Sequence, residues 1–125
     1  MNVEKIINKT VDRTIAKLKM ENLLTDDKRT AYEKTEGILR AYPKLKELKD
    51  YKAKLVVNQV EAALLSIESD QFYDIIPMYY FSDYTNDVIA EQYKTSEKTI
   101  RRNKSRLVNE LKIILFADDF IAELL

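Results

Sequence analysis

The sequence predicts an all-α protein without a β-sheet. Only one of its 125 residues is glycine and only two are proline, whereas a sheet-rich chain of this length needs many turns built from Gly, Pro, Asn and Asp. Apolar residues recur three or four positions apart along most of the chain, which is the spacing of one helix face. A chain of this length buries one modest core, so we expect one compact molecule of five to seven helices.

The first two predicted helices lie before Pro43. Residues 2–24 place apolar side chains on one helix face, and the triplet at 25–27 supplies capping residues for a second helix at about 27–41. Pro43 predicts a break after this helix, because the residue before a proline disfavours the helical region. The apolar face of the first helix consists of Val3, Ile6, Ile7, Val11, Ile15 and Leu18.

The middle of the chain predicts one long helix and one short apolar segment. Apolar residues from Leu45 to Ile67 recur at helical spacing, and Ser69 and Asp70 follow as a capping pair. Residues 71–81 form a short and very apolar stretch, in which Pro77 predicts a kink or a split.

Two further helices are predicted toward the C-terminus. Residues 85–93 form a short helix whose inward side chains are Val88, Ile89 and Tyr93. After a turn at residues 94–95, Ser96 caps a long helix that runs from residue 97 to about residue 116.

Composition excludes several kinds of catalytic site. Cysteine and histidine are both absent, so the chain lacks disulfides, thiolate and imidazole metal ligands and the commonest general base. One glycine cannot build a phosphate-cradling loop. Asp87 and Glu91 lie four residues apart, but no third carboxylate has the spacing of a metal site. We therefore predict no catalytic residue, no cofactor, no metal site and no enzymatic activity.

The charges cancel overall but are unevenly distributed. The chain has 21 basic and 21 acidic residues. Residues 59–93 carry seven acidic residues and no basic one, whereas residues 94–112 carry seven basic residues and two acidic ones. A polyanionic partner responds to this local field rather than to the net charge. The basic stretch KTSEKTIRRNKSRL, residues 94–107, is therefore the candidate functional segment.

Residues 85–107 match the plan of a helix-turn-helix, in which two helices are joined by a turn of three or four residues. The inward and capping positions of that plan are occupied by Ile89, Ala90, Tyr93, Ser96 and Ile100. The glycine that is usual in the turn is replaced by Lys94 or Thr95, which is the one poor match.

The long C-terminal helix has one apolar and one cationic face. At about 100° per residue, the inward stripe consists of Ile100, Asn103, Leu107, Leu111 and Ile114. The outward stripe consists of Lys98, Arg101, Arg102, Ser105, Arg106 and Asn109. A solvated surface helix would mix Glu and Lys four residues apart, whereas no acidic residue occurs from 98 to 109. The polar Asn103 on the inward stripe is not explained by this arrangement.

This pattern predicts a helix that enters the major groove of double-stranded DNA. Arginine reads guanine through two hydrogen bonds, whereas A-form RNA hides its major groove from a helix. Lys98 suits either a base or the backbone, and Lys104, on the flank, suits a phosphate. The predicted DNA-binding residues are Ser96, Lys98, Arg101, Arg102, Lys104, Ser105 and Arg106.

The segment TNDVIAEQYKTSEKTIRRNKSRL, residues 85–107, resembles the helix-turn-helix of sigma-70 region 4. With QFYDIIPMYYF before it, LVNELKIILF after it and KTEGILRAYPKLKELK at 34–49, the chain resembles phage transcriptional regulators of the ArpU (autolysin regulatory protein) type over roughly residues 34–116. The resemblance implies a phage or prophage protein that controls late genes at a promoter, with RNA polymerase as a further partner. It also implies DNA contacts by Ser96, Lys98, Arg101, Arg102 and Ser105.

The full interpretation divides the chain into an N-terminal helical extension, residues 1–53, and a helix-turn-helix DNA-binding domain, residues 54–125. The apolar face of the first helix either packs on the rest of the monomer or forms a homodimer. No run approaches the about 18 apolar residues of a membrane span, so we expect a cytoplasmic protein with no membrane partner. Two alternatives remain: a DNA-packaging protein like a small terminase subunit, and an adaptor that binds RNA polymerase rather than DNA.

Overall fold

The computed structural model describes residues 30–117. These residues form four α-helices and one short π-helical segment, and no strand occurs among them. The elements are α1 (Ala31–Leu45), α2 (Tyr51–Ile67), the π-helical segment (Pro77–Phe81), α3 (Asn86–Tyr93) and α4 (Glu97–Leu115). The all-α prediction is confirmed for this part of the chain. The helix predicted at residues 2–24 lies outside the described residues.

Helix α1 begins at Ala31 rather than near residue 27, and it continues through Pro43. Thr30 is its N-cap, and the Thr30 hydroxyl accepts a hydrogen bond from the Glu33 N–H at 3.1 Å. The predicted break at Pro43 is wrong, because this residue lies in the last turn of the helix. Its neighbours Tyr42 and Leu45 are both buried in the core. We attribute the extra turn to this apolar burial, which offsets the one backbone hydrogen bond that proline cannot donate.

Helix α2 and the π-helical segment both follow from local hydrogen bonds. The Asp50 carboxylate caps α2 by accepting from the N–H groups of Lys52 at 2.9 Å and Ala53 at 3.3 Å, so the helix starts at Tyr51 rather than at Leu45. The irregular geometry predicted at Pro77 is present. There the Ser82 N–H donates to the Pro77 carbonyl, five residues back, at 3.0 Å, which is the hydrogen bond of a π-helix.

The main core joins α1, α2 and the C-terminal half of α4. Its buried side chains include Ile38, Leu39, Val56, Val60, Leu64, Leu107, Val108, Leu111 and Leu115. The boundary expected between residues 53 and 54 falls inside α2. Residues 30–53 therefore share one core with the C-terminal helices.

A second, smaller cluster holds α3 against the N-terminal half of α4. It consists of Ile75, Ile89, Ala90 and Ile100, with the rings of Phe72, Tyr79 and Tyr93 packed around it. Helix α4 thus has one half in each cluster, and its first turns lie at the surface beside α3.

Candidate nucleic-acid interface

Helices α3 and α4 are joined by a turn of three residues, 94–96. Lys94 ends α3 in the left-handed region, with φ 53° and ψ 47°. The N–H groups of Lys94 and Thr95 donate to the carbonyls of Glu91 at 3.2 Å and Ala90 at 3.0 Å. Glycine is the usual residue at such a helix end, because a Cβ atom makes this conformation costly by about 1 kcal/mol. The glycine position expected in this turn is therefore occupied by Lys94.

The inward positions predicted for this pair of helices are largely confirmed. Ile89 and Ile100 are completely buried, and Ala90 lies against them. The small side chain of Ala90 allows close approach of the two helices.

The other two residues of α3 that were predicted to face inward, Tyr93 and Val88, differ in how far they are buried. Tyr93 is half-buried, and its ring stacks on that of Phe72 with the centroids 5.4 Å apart. Val88 was expected to face inward, and that expectation is wrong, because its side chain is 40% exposed. A helix of eight residues packs along one narrow line, and Val88 lies about 100° away from Ile89 around the axis.

Ser96 is the N-cap of α4, as predicted. Its hydroxyl accepts a hydrogen bond from the Thr99 N–H at 3.2 Å and lies 3.0 Å from the Thr99 hydroxyl. Ser96 is exposed, so the start of α4 is at the surface of the molecule.

Three cationic side chains share the exposed face of the first turns of α4. Lys98, Arg101 and Arg102 are all exposed. Arg101 lies 3.5 Å from the Glu97 carboxylate, but an exposed pair of this kind contributes only about 0.3–0.5 kcal/mol. Within residues 30–117, Lys98 and Arg102 form neither an ion pair nor a side-chain hydrogen bond. These three cations are therefore available to an anionic partner.

Lys104 does not lie on the exposed flank of α4, so the prediction that it contacts phosphate is not supported by its position. Its side chain is only 8% exposed. The ammonium donates to the Asn86 Oδ1 at 3.1 Å and lies 3.4 Å from the centroid of the Tyr79 ring. Lys104 thus connects α4 to the first residue of α3 and to the π-helical segment.

The inward face of α4 is rotated relative to the predicted stripe. The buried residues of this helix are Ile100, Lys104, Leu107, Val108, Leu111 and Leu115. Asn103 and Ile114, which were expected to face inward, are only partly buried. Asn103 lies at the edge of the core, where its side-chain amide donates to the Thr99 carbonyl at 2.9 Å. This position explains the polar residue that the predicted stripe left unexplained.

Arg106 is exposed, as predicted, but its guanidinium is held by other side chains. It donates two parallel hydrogen bonds to the Asp70 carboxylate, at 2.8 and 3.0 Å. It also contacts the Asn103 Oδ1 at 3.2 and 3.3 Å and the Glu110 carboxylate at 3.5 Å. These contacts fix Arg106 on the edge of α4 that faces the α2–π connection.

The Asp70–Arg106 pair also changes the protonation equilibria of both groups. The hydrogen bond from Arg106, together with the Phe72 N–H, holds the pKa of Asp70 below its usual value. The hydrogen bond to Asp70 raises the pKa of Arg106 in turn. The pair is therefore fully charged at neutral pH.

Ser105 lies beside α1 rather than on open surface. Its hydroxyl is 3.2 Å from the Tyr32 hydroxyl, and the contact is partly buried. Helix α1 on one side and Asp70 on the other thus limit access to α4 from about residue 105 onward. Of the seven predicted DNA-binding residues, Ser96, Lys98, Arg101 and Arg102 form one open face, whereas Lys104, Ser105 and Arg106 contact other parts of the chain.

The side chains that hold this arrangement were not predicted as part of the site. Asn86 is 18 residues from Lys104, and Asp70 is 36 residues from Arg106. The spacing of residues within one helix does not predict which distant residues their side chains will contact. The sequence marks Asp70 as a capping residue within the acidic stretch 59–93, but it does not indicate that Asp70 pairs with α4.

Among residues 30–117, no helix is long and apolar enough to cross a membrane. The same residues contain no group of three or more acidic side chains that could hold a metal ion.

The chain matches no protein-family model, no curated protein and no solved structure with which it was compared.

Proposed function

We propose that the protein binds double-stranded DNA through the first turns of α4 and acts as a sequence-specific transcription regulator. The observation that carries this proposal is the open face formed by Lys98, Arg101 and Arg102. Three cations lie side by side on a capped helix whose opposite face is buried. A solvated helix face of ordinary composition pairs its cations with acidic residues; here Glu97 pairs with Arg101, whereas Lys98 and Arg102 form no ion pair within residues 30–117.

The dimensions of this face suit a major groove. An α-helix with its side chains is about 10–12 Å across, and the major groove of B-DNA is about 12 Å wide. The short α3, the three-residue turn and the capped α4 have the order of elements found in helix-turn-helix proteins, which place their second helix in that groove.

Each residue of the open face has a chemical role in this proposal. Arg101 and Arg102 are suited to guanine, whose O6 and N7 atoms accept the two hydrogen bonds of a guanidinium. Lys98 is suited to either a base or a phosphate. Ser96 caps the helix start, where backbone N–H groups favour a phosphate.

The biological setting of the proposal rests on the sequence resemblance alone. Similarity to ArpU-type regulators and to sigma-70 region 4 suggests a phage or prophage protein that acts at a late promoter. RNA polymerase and a second copy of the chain are the further partners that this setting implies.

Selection of bound duplexes from a random pool tests the proposal. The full chain is expected to enrich one motif, and a two-fold symmetric motif would indicate a dimer. Arg101→Ala combined with Arg102→Ala should abolish binding to that motif while the far-UV circular dichroism spectrum stays helical. Lys112→Ala, a charge lost at the far end of α4, is the matched control and should bind normally.

Other outcomes would favour the alternative functions. Ring-like oligomers in a solution mass measurement would indicate a packaging protein. No salt-dependent affinity for any duplex would indicate an adaptor that does not bind DNA.

A further inference from the structure

Helix α2 has an uncharged stripe on the side that faces away from the main core. We call this stripe the outer seam of α2, and it consists of Tyr51, Leu55, Asn58, Ala62 and Leu65. Four of the five residues are exposed, with Tyr51 at 74% and Leu65 at 69%, whereas Leu55 is partly buried. Charged residues make up 34% of the chain, yet none interrupts the seam over about four turns.

The spacing within the outer seam is that of a contact line between two paired helices. Its members follow one another at intervals of four, three, four and three residues, which keeps them on one side of a helix that packs along a second helix. A helix face that meets only water is ordinarily polar or charged, whereas this one exposes a tyrosine and a leucine. The seam therefore indicates that another helix packs against α2.

The charges of α2 are ordered along the helix axis. Lys52 and Lys54 lie in its first turn, whereas Glu61 and Glu68 lie in its second half and at its C-cap. This order is the reverse of the one that the helix dipole favours, because acidic residues stabilise the N-terminal end and basic residues the C-terminal end. Among residues 30–117, Lys52, Lys54 and Glu68 form no ion pair and no side-chain hydrogen bond. A partner with the opposite charge order would neutralise both ends.

We propose that the outer seam of α2 packs antiparallel against the same seam of a second copy of this chain. An antiparallel copy of α2 presents its acidic end to the basic end of the first copy, and the reverse holds at the other end of the pair. One two-fold axis relates the two copies, so a single surface that is complementary to itself is sufficient. The inference does not depend on DNA binding.

An antiparallel register centred between Asn58 and Ala62 brings the seam residues together. Asn58 of each copy then meets Ala62 of the other copy, and Leu55 meets Leu65 of the other copy. The small side chain of Ala62 allows the two helices to approach closely near the axis, while the leucines form an apolar contact on either side of it.

The same register sets the contacts between charged residues along the edge of the seam. Lys54 of each copy lies beside Glu68 of the other copy, which gives two attractive pairs. Glu61 lies near the two-fold axis, where it approaches its own equivalent. The Tyr42 hydroxyl donates to the Glu61 carboxylate at 3.0 Å, and this hydrogen bond holds Glu61 toward α1 and away from the second copy.

The first measurement is the mass of the full chain by sedimentation equilibrium at about 1–500 µM. We expect a dimer that dissociates on dilution. Leu65→Asp should raise the dissociation constant by about tenfold or more, because it places a charge in the apolar contact with Leu55. Ile113→Asp is the matched control, since Ile113 is 72% exposed but lies on α4 outside the seam, and its dissociation constant should be unchanged. Far-UV circular dichroism checks that both variants stay helical.

Charge reversal tests the identity of the partner and the direction of pairing. Lys54→Glu and Glu68→Lys should each raise the dissociation constant about tenfold, because each turns two attractive pairs into two repulsive ones. The chain that carries both substitutions should recover the original dissociation constant. An equimolar mixture of the two single variants should recover it as well, because each copy then supplies the charge that the other lacks. A parallel pair would show neither recovery, since it does not bring Lys54 to Glu68.

Three results would overturn the inference, and none of them bears on DNA binding by α4. A protein that stays monomeric at every concentration has no such interface. A dimer that is unaffected by Leu65→Asp and by charge reversal associates through other residues, such as the apolar face predicted at residues 2–24. A monomer in which the thiol of Leu65→Cys is protected from a thiol reagent has its seam covered by another segment of the same chain.

Discussion

Replacing Arg106 by alanine separates a residue that holds the fold from the residues proposed to bind DNA. Arg106 donates two parallel hydrogen bonds to Asp70, at 2.8 and 3.0 Å, and the two side chains are 42% and 23% exposed. Exposed ion pairs contribute about 0.2–1 kcal/mol, and bidentate geometry places this pair at the upper end of that range. With the added contacts to Asn103, we expect Arg106→Ala to lower the free energy of unfolding by about 1–1.5 kcal/mol.

The assay is urea unfolding of Arg106→Ala, Asp70→Asn and the double variant, with Arg102→Ala as the matched exposed arginine. Arg102→Ala should leave stability within about 0.5 kcal/mol of the unmodified protein, because the Arg102 side chain is exposed and forms no hydrogen bond and no ion pair within residues 30–117. The double variant should be less destabilised than the sum of the single ones, by a coupling of about 0.5–1 kcal/mol.

The pH dependence of this coupling follows from the lowered pKa of Asp70. A carboxyl whose pKa is lowered by folding contributes stability that is complete above its unfolded pKa and is lost as the pH falls through its folded pKa. The coupling between Asp70 and Arg106 should therefore be constant near neutral pH and should disappear as the pH falls below 3.8, the ordinary pKa of an aspartate. If Arg106→Ala leaves stability unchanged and weakens DNA binding as much as Arg102→Ala does, the structural role argued for Arg106 is refuted.

Three further substitutions test other parts of the structure. Lys94→Gly should raise the free energy of unfolding by about 0.5–1 kcal/mol in urea titrations, because glycine adopts the left-handed conformation without strain; a loss of stability would contradict this. The free energy of unfolding of Lys104→Met should stay within about 1 kcal/mol of that of the unmodified protein, whereas Lys104→Ala should lose about 2–3 kcal/mol because the buried side-chain carbons are removed. Neither variant should change the dependence of DNA affinity on salt concentration; a weaker salt dependence would restore the predicted phosphate contact. Burial and the hydrogen bond to Glu61 raise the pKa of Tyr42 to about 12, so the contribution of Tyr42 to stability is complete below its ordinary pKa of 10.0 and is lost as the pH rises to about 12. The free energy of unfolding should therefore depend less on pH in this range in Tyr42→Phe than in the unmodified protein. An unchanged pH dependence would count against the contact.

Helix α4 was predicted well because its signals are local. Ser96 is three residues from the N–H that it caps, and the apolar spacing from Ile100 to Leu111 lies within one element. The predicted helix, residues 97 to about 116, differs from the observed Glu97–Leu115 by one residue. The cap and the periodicity need no information from the rest of the chain.

The exact orientation of α4 could not be predicted because it depends on distant residues. Lysine ordinarily faces water, so the predicted stripe left Lys104 outside. Asn86 and Tyr79 supply a hydrogen-bond acceptor and a ring face for its ammonium, and no periodicity in α4 reveals them. The same reasoning applies to Arg106, whose partner Asp70 belongs to a turn between two other elements.

At Pro43, a rule based on local sequence predicts a helix end that the folded protein does not have. The rule that a proline breaks a helix is a statement about one hydrogen bond and one steric clash. In α1 the flanking Tyr42 and Leu45 are buried by α2, α4 and the π-helical segment, and this tertiary burial outweighs the local penalty. The extent of that burial is a property of the assembled core rather than of the segment.

The central claim is that the open face of α4 reads bases, and repeating the duplex selection with Arg101→Ala and Arg102→Ala as separate variants tests it most directly. Each variant should lose preference at one or two guanine positions, with a cost of about 1–3 kcal/mol for each lost bidentate contact, while the rest of the motif is retained. An unchanged motif bound uniformly more weakly would show that these arginines contact only phosphate. No enriched motif from the unmodified protein would contradict the claim itself.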